Sequence, residues 1–354
     1  MNYVTAILLT TFLSFHLSTA QLPTVCVGNA TLASSGVCCP VNPRTGQVCG
    51  GPGVGACAVL EIYKYANDVP IVSYLDDRIE WPLRFFSRGC QCSGNFFGTA
   101  CEQCKFGFKG RECTDRDLKI RRDIRGYTPQ EKAIFVDILK TSLYYPSGYS
   151  VLVEDDGSRS DPVVQPRWQN ASIQFYLTAL HRYSSRSTFY RTENQCRSFG
   201  HIMNTNHGGL GFVTFHRYFV MVWERLLGKI AFEKYGITDF ALPFWDWVDR
   251  TDCYVCTNDL LGAPGEFDQF GQRLDRGSAF FNWPEFCGEP LHKNTSCVGC
   301  HTREKFGPLI REWRNYFYPT KADLEYVLSL PEYYRENELE TLKKCDVFHL
   351  ALER

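Results

Sequence analysis

Neither sign of charge prevails in this sequence: 38 Lys and Arg stand against 39 Asp and Glu in 354 residues, a formal net charge of −1. That balance lacks the electrostatic footprint of a nucleic-acid partner or of a protein drawn to an anionic membrane. Past residue 20 there is no run of ~18 apolar residues, so no transmembrane segment is expected in this chain. Internal repeats and low-complexity tracts are also missing, and no cysteine occurs between Cys113 and Cys196.

What is present points first to a compartment. Val4 to Leu17 is largely apolar, and Ser18-Thr19-Ala20 makes a small-residue cleavage site before Gln21. Residues 1–20 therefore read as a signal peptide, although no Lys or Arg precedes the apolar run. A buried first helix is the alternative. The 17 cysteines and the sequons at Asn29, Asn170 and Asn294 agree with a lumenal or secreted protein. The length allows two domains and a large core.

Ten cysteines fall between Cys26 and Cys113, with a Gly/Pro-rich stretch from Pro43 to Gly55. Such density describes a loop-rich module held by crosslinks rather than by a core. Five disulfides within it are expected, with the pairing open. Its last part, Cys90 to Cys113, resembles an EGF-like or laminin-like unit. The module is placed at 21–115 and a second domain at 116–354. "DRDLKIRRDIRGYTPQE" joins them and reads as a solvated, charged linker. Thr128-Pro129-Gln130-Glu131 has the form of a capped helix start, with Thr128 as N-cap and Glu131 closing a capping box. Ala133, Ile134, Val136, Ile138, Leu139, Leu143 and Tyr144 continue it at roughly helical spacing, and the rest of the chain is expected to be predominantly helical.

The eight histidines are His16, His181, His201, His207, His216, His292, His301 and His349. His181 lies on one side of "ASIQFYLTALHRYSS" with Ile173, Tyr176, Leu177 and Leu180. His216 is surrounded by Phe212, Phe215, Phe219, Val220, Trp223 and Leu227 at spacings of three and four. An imidazole on an apolar face needs a partner. His207 precedes the second helix, beside Gly208 and Gly209, which allow an unusual backbone path. Three neutral imidazoles meeting at a point suit copper or zinc with a position left open. The alternative is that each bonds a nearby carbonyl. Glu224 could orient a ligand, or form a surface ion pair.

His207-x4-"FVTFHR"-x2-Val220-x3-Glu224 resembles the copper-A signature of tyrosinases and other type-3 copper proteins. "LPFWDW" from Leu242 to Trp247 is similar to the segment that comes after it in that family, and "LHRYSS" to its first copper-A helix. "DDRIEWP", "CQCSGNFFG", "CKFGF" and "TDCYVCT" resemble the vertebrate-type subfamily of tyrosinase, tyrosinase-related protein and dopachrome tautomerase. The resemblance implies a mainly α fold. In it, a disulfide-rich EGF-like N-terminal module precedes an incomplete antiparallel four-helix-bundle type-3 copper domain. It makes His181, His207 and His216 the copper-A ligands. The implied activity is that of a copper monooxygenase or catechol oxidase acting on phenols or catechols with O2, in melanin-type pigment formation. A related protein acting on an indole, with zinc, and a non-catalytic glycoprotein scaffold are the alternatives. The location implied is a melanosome-like organelle if the complete protein carries a C-terminal anchor.

Departures from the pattern are Gly208-Gly209, Phe215 in place of the commoner Trp, and the additional Cys196. The larger departure is a missing half. The family holds its second copper with His-x3-His and a later histidine, and no such pattern occurs after His216. "FHLALER" at the end resembles the segment just upstream of it. The chain is therefore expected to carry one copper site of two and to be inactive alone. Cys297-x-x-Cys300-His301 and Cys253-x-x-Cys256 imitate haem and zinc motifs, but read as disulfides. Cys196, Cys300 and Cys345 are the candidates for the odd, unpaired thiol.

Overall fold

A computed structural model describes residues 21–28, 35–60, 85–154, 167–185, 189–192, 195–198, 212–269, 271–284, 286, 309–310, 318 and 320–329. The cysteine-rich part holds five disulfides: Cys26–Cys38, Cys39–Cys57, Cys49–Cys90, Cys92–Cys101 and Cys104–Cys113. All ten cysteines pair among themselves, as their density predicted. Its strands are short: β2 (Val37–Cys38), β3 (Gly55–Val59) and β4 (Arg88–Cys92) form one sheet in the order β2-β4-β3. Two hairpins come next, β5 (Phe96–Phe97) with β6 (Gln103–Cys104), and β7 (Phe108–Lys109) with β8 (Asp115–Arg116). Among the described residues apolar filling comes in two small clusters, Phe96 with Val54 around Cys101 and Cys113, and Phe86 with Leu22 and Leu152 around Cys26 and Cys38. Little side-chain burial is available here, so covalent closure limits the unfolded chain instead. Gly55 is required where the crosslinks crowd: a Cβ there would sit 2.6 Å from Cys101 Sγ and 2.8 Å from the Cys49 carbonyl oxygen.

A second sheet joins the two parts. β1 (Gln21–Pro23) and β10 (Arg167–Ser172) flank β9 (Pro146–Glu154), all antiparallel, with Gln21 opposite Val151 and Trp168 opposite Leu152. The start of the cysteine-rich part is thus built into a sheet whose other two strands lie beyond the linker. The helix α1 (Thr24–Val27) then leads into the first disulfide.

The helix α2 (Pro129–Ser142) begins as its sequence predicts. Thr128 accepts from the Glu131 backbone N–H, and Glu131 accepts from the Thr128 N–H at 2.8 Å. Val136, Ile138 and Leu139 are buried, but Tyr144 is 81% exposed. The apolar pattern overran the helix, which stops at Ser142 before the chain turns into β9. The helices α3 (Ile173–Ser185) and α4 (Phe212–Tyr235) pack with α2 and β9 around one core. Its fully buried members include Ile138, Ile173, Leu180, Leu227 and Ile230. Each such side chain contributes about 1.5–3 kcal/mol of burial. Ser172 Oγ accepts from the Phe175 N–H and starts α3.

Elsewhere β11 (Phe189–Thr192) and β12 (Gln195–Ser198) form a hairpin between α3 and α4, and β13 (Pro264–Asp268) pairs with β14 (Gly271–Leu274). The helix α5 (Lys321–Ser329) comes last. Helices and sheets share the described residues, which are disulfide-rich and mixed in secondary structure, so the expected mainly α fold is not confirmed among them. Long loops between helices have room to pair as hairpins, and helical periodicity says nothing about them.

The charged linker is not simply solvated. Leu118 and Ile120 are 85% and 81% exposed, but from Arg121 the chain docks. The Ile124 N–H donates to the Phe244 carbonyl at 2.8 Å, and the Phe244 N–H donates to the Arg122 carbonyl at 3.0 Å. Backbone groups that would otherwise need water are paired against the "LPFWDW" segment. Cys253 pairs with Cys256, which removes both from any metal or haem role. Cys287, Cys297, Cys300, Cys345, His292, His301 and His349 lie outside the described residues.

Candidate metal centre

α3 carries His181 in its last turns, and α4 carries His216 in its second. The packing of the two helices brings the imidazoles edge to edge, with ring planes 67° apart: Nε2 of His181 lies 3.3 Å from Nε2 of His216. The other nitrogen of His216, Nδ1, is 2.8 Å from the Phe212 carbonyl oxygen. A carbonyl only accepts, so Nδ1 holds the proton. In the neutral ring Nε2 is then left with its lone pair directed at His181. A hydrogen bond of this kind to the distal nitrogen is what fixes the tautomer of a metal-binding histidine.

Both rings are half-buried rather than enclosed. Phe215, 4% exposed, lies 5.1 Å from the His216 ring and 6.0 Å from that of His181, and Phe219 lies 5.3 Å from His181. Phe212 closes the other side of His216 at 4.3 Å. These aromatics exclude water from the nitrogens without competing for them.

The pair fits a shared ion. With metal–imidazole bonds of ~2.0–2.1 Å, two nitrogens 3.3 Å apart subtend roughly 105–110°, near the tetrahedral angle. Without an ion, one Nε2–H donating to the other lone pair also satisfies the contact. The third expected ligand, His207, lies outside the described residues. Among those residues the one group of three or more metal-type side chains is Cys39, Cys49 and Cys90, and all three are committed to disulfides.

Glu224 forms the ion pair foreseen as its alternative role, but not at the surface. It is 7% exposed and makes no hydrogen bond to His181 or His216. Its carboxylate accepts from Arg121 Nε at 2.9 Å and Nη2 at 3.2 Å, and from the Leu242 backbone N–H at 2.9 Å. One buried carboxylate thereby ties the linker, α4 and the "LPFWDW" segment together. Two turns separate it from His216 along the helix, which is why it points elsewhere.

A contact that sequence reasoning missed lies on the opposite face of α4. Arg225 donates to Gln103 Oε1 at 3.2 Å and to the Cys104 carbonyl at 2.7 Å, with its guanidinium 3.9 Å over the Phe106 ring. Tyr218, one heptad earlier, meets Phe106 edge-on at 6.0 Å. Burial pushes the Arg225 guanidinium down and the Tyr218 phenol up from their ordinary pKa values. The "CKFGF" string that resembled a family motif is the seat for this arginine. The one signal was an Arg and a Tyr seven apart, and so on one face of the helix.

The fold and the site define a disulfide-rich protein in which two packed helices bring a pair of imidazoles within 3.3 Å of each other. Residues 171–333 match the family described as the common central domain of tyrosinase. The chain is 31% identical to tyrosinase of Gallus gallus over 325 residues, covering 89% of this chain and 59% of that protein. It is 34% identical to tyrosinase of Coturnix japonica over 269 residues, covering 75% and 94% respectively. It is 32% identical to a Mus musculus 5,6-dihydroxyindole-2-carboxylic acid oxidase over 313 residues, covering 84% and 55%. The chain belongs to the tyrosinase family. It spans about three-fifths of the length of the Gallus gallus protein.

Proposed function

We propose that the chain supplies the cysteine-rich part and the first metal site of a type-3 copper oxidoreductase acting on phenols or catechols with O2. The observation that carries this is the 3.3 Å approach of the His181 and His216 Nε2 atoms, with His216 Nδ1 tied to a carbonyl. His181, His207 and His216 are the ligands in this reading. Bound copper supplies one-electron chemistry toward O2, which the amino acids themselves lack. The residues do the rest. Two nitrogen lone pairs are held on rigid helices, the Phe212 carbonyl keeps a proton on Nδ1, and Phe212, Phe215 and Phe219 restrict water.

In the fold reading, α3 and α4 are the copper-A half of an antiparallel four-helix bundle, preceded by an EGF-like module. The burial gradient along α4 supports an incomplete bundle. Leu226, Leu227, Ile230 and Ala231 are buried, whereas Val213 is 43% exposed and Phe219, Val220 and Trp223 are half-covered near the histidines. The unit expected at Cys90 to Cys113 does not close on itself, since Cys90 pairs back with Cys49. The interleaved pairs Cys39–Cys57 and Cys49–Cys90, with Cys92–Cys101 next, support an EGF-like unit lying further toward the N-terminus. The protein is assigned to the secretory pathway, with residues 1–20 as its signal and the exposed Asn170 as a glycan acceptor. Among the described residues no helix is long and apolar enough to cross a membrane.

Metal analysis of the secreted protein tests the site. About one copper per chain is expected, lost in His181→Ala and in His216→Ala while far-UV circular dichroism stays unchanged. Full copper in the double variant would overturn the assignment. The near-equal identity to the mouse indole oxidase supports a second reading, a related protein acting on an indole with zinc. Zinc in place of copper would select it, and no metal at all would select a non-catalytic scaffold. Residues 21–354 alone are expected not to oxidise catechols, whereas a chain extended through a downstream His-x3-His would.

A further inference from the structure

β1 opens on Gln21, the residue immediately after Ser18-Thr19-Ala20. Gln21 stands opposite Val151 of β9 and is 4% exposed. Both polar atoms of its carboxamide, Oε1 and Nε2, are buried, and neither has a hydrogen-bond partner. A primary amide offers two donors and two lone pairs, and buried ones are nearly always engaged. Leaving both ends empty is costly. The rest of the strand gives no reason for a Gln here, since Val151, directly opposite it, belongs to the apolar core with Val153 and Ala171.

We propose that Gln21 is a modification site: after removal of residues 1–20, its α-amine closes on its own side chain, and the mature chain begins with pyroglutamate. The inference rests on the secretory reading and is independent of the metal centre. The reaction is intramolecular and needs no oxidant, reductant or co-substrate. The neutral α-amine attacks Cδ, the N–Cδ bond forms, and the Cδ–Nε2 bond breaks. Nε2 takes up the proton released by the amine and departs as ammonia. A five-membered lactam remains.

Two features of the structure favour the product over a free terminus. An α-amine ordinarily titrates near ~7.7–8.0, so it would be largely charged at neutral pH. Cleavage would set that charge on a strand residue that is 4% exposed and lies opposite Val151 of the apolar core, where an unpaired ammonium is strongly disfavoured. The lactam carries no charge. Closure also consumes the unpartnered Nε2, and no hydrogen bond holds the carboxamide away from the backbone. The end is not a frayed one, because β9 and the Cys26–Cys38 disulfide fix it.

The test is N-terminal mass spectrometry of the full chain secreted from eukaryotic cells. Primary amines are labelled on the undigested protein unfolded in denaturant, which exposes a buried terminus, so one that closed during later workup would still have been tagged. The expected result is an unlabelled peptide beginning at residue 21, lighter by one ammonia and resistant to stepwise degradation from its end. Gln21→Asn, whose side chain is too short for a five-membered lactam, should give a labelled amine at residue 21. A labelled Gln21 with an intact carboxamide in the unaltered protein would overturn cyclisation and leave the secretory reading standing. A terminus at another residue would instead overturn cleavage after Ala20, and the modification with it.

Discussion

Arg121→Ala should be the most damaging single change in the linker, although Arg121 sits in a run of charges that looks like surface. The substitution strands the Glu224 carboxylate, whose side chain is 9% exposed, with the Leu242 N–H as its remaining donor among the described residues. Breaking a buried ion pair from one side costs about 3–5 kcal/mol. Arg121 itself is 40% exposed, so water already weakens the pair, and about 3 kcal/mol is the better figure. Glu224→Gln should cost only about 1 kcal/mol. It keeps the volume and an oxygen for Leu242, and it leaves Arg121 free to hydrate. In a domain of this size 1 kcal/mol moves the melting midpoint by about 2–4 °C, so the two variants should fall by about 6–12 °C and 2–4 °C. The double variant should melt close to Glu224→Gln, because a neutral amide needs no counterion. Copper content of the folded variants should be unchanged, since the carboxylate does not orient His216. Thermal melts followed by tryptophan fluorescence, with metal analysis alongside, decide it. If Arg121→Ala melts no lower than Glu224→Gln, or if the double loss is the sum of the singles, the clamp reasoning is wrong.

Three further outcomes can be checked. The Thr128 backbone N–H and then the Arg122 guanidinium hold the exposed Glu131 carboxyl at about 2, below its usual 4.5. Its stabilising effect is therefore complete above pH 4.5 and is lost as pH falls from there toward 2, and Glu131→Gln should flatten acid unfolding in that window alone. Arg225→Ala removes two hydrogen bonds and a cation–π contact, a loss of about 2–4 kcal/mol, and should speed proteolysis between residues 115 and 121 as the cysteine-rich part loosens from α4; an unchanged cleavage rate would count against this interface. Removing Cys49–Cys90, with a separation of 41, should cost about 4 kcal/mol, against about 2.5 kcal/mol for Cys92–Cys101 with a separation of 9; equal losses in urea titrations would mean that loop closure is not the operative effect.

Much of the site was legible because local chemistry encodes it. The Thr128 and Glu131 cap, the helical spacing of the apolar residues around His181 and His216, and the closed accounting of ten cysteines all depend on near neighbours in the chain. The partners of Glu224 and Arg225 were not legible. Arg121 is 103 residues from Glu224, and Gln103 is 122 from Arg225, so no window along the sequence holds both members. Tyr144 misled for a related reason, since an apolar residue at helical spacing carries no mark of where the helix stops.

The sequence by itself determined that His181 and His216 stand on helices among apolar residues, where α2 begins, and that the ten cysteines from Cys26 to Cys113 crosslink among themselves. Tertiary structure alone decided the rest. The disulfide partners depend on which strands lie side by side, and the burial of Glu224 on the docking of a linker whose composition favours solvent. The 3.3 Å approach of two imidazoles 35 residues apart is set by how α3 and α4 pack. Residue type fixes what a side chain can do, whereas the cost of leaving a buried donor, acceptor or charge unpaired depends on neighbours that only the folded chain brings.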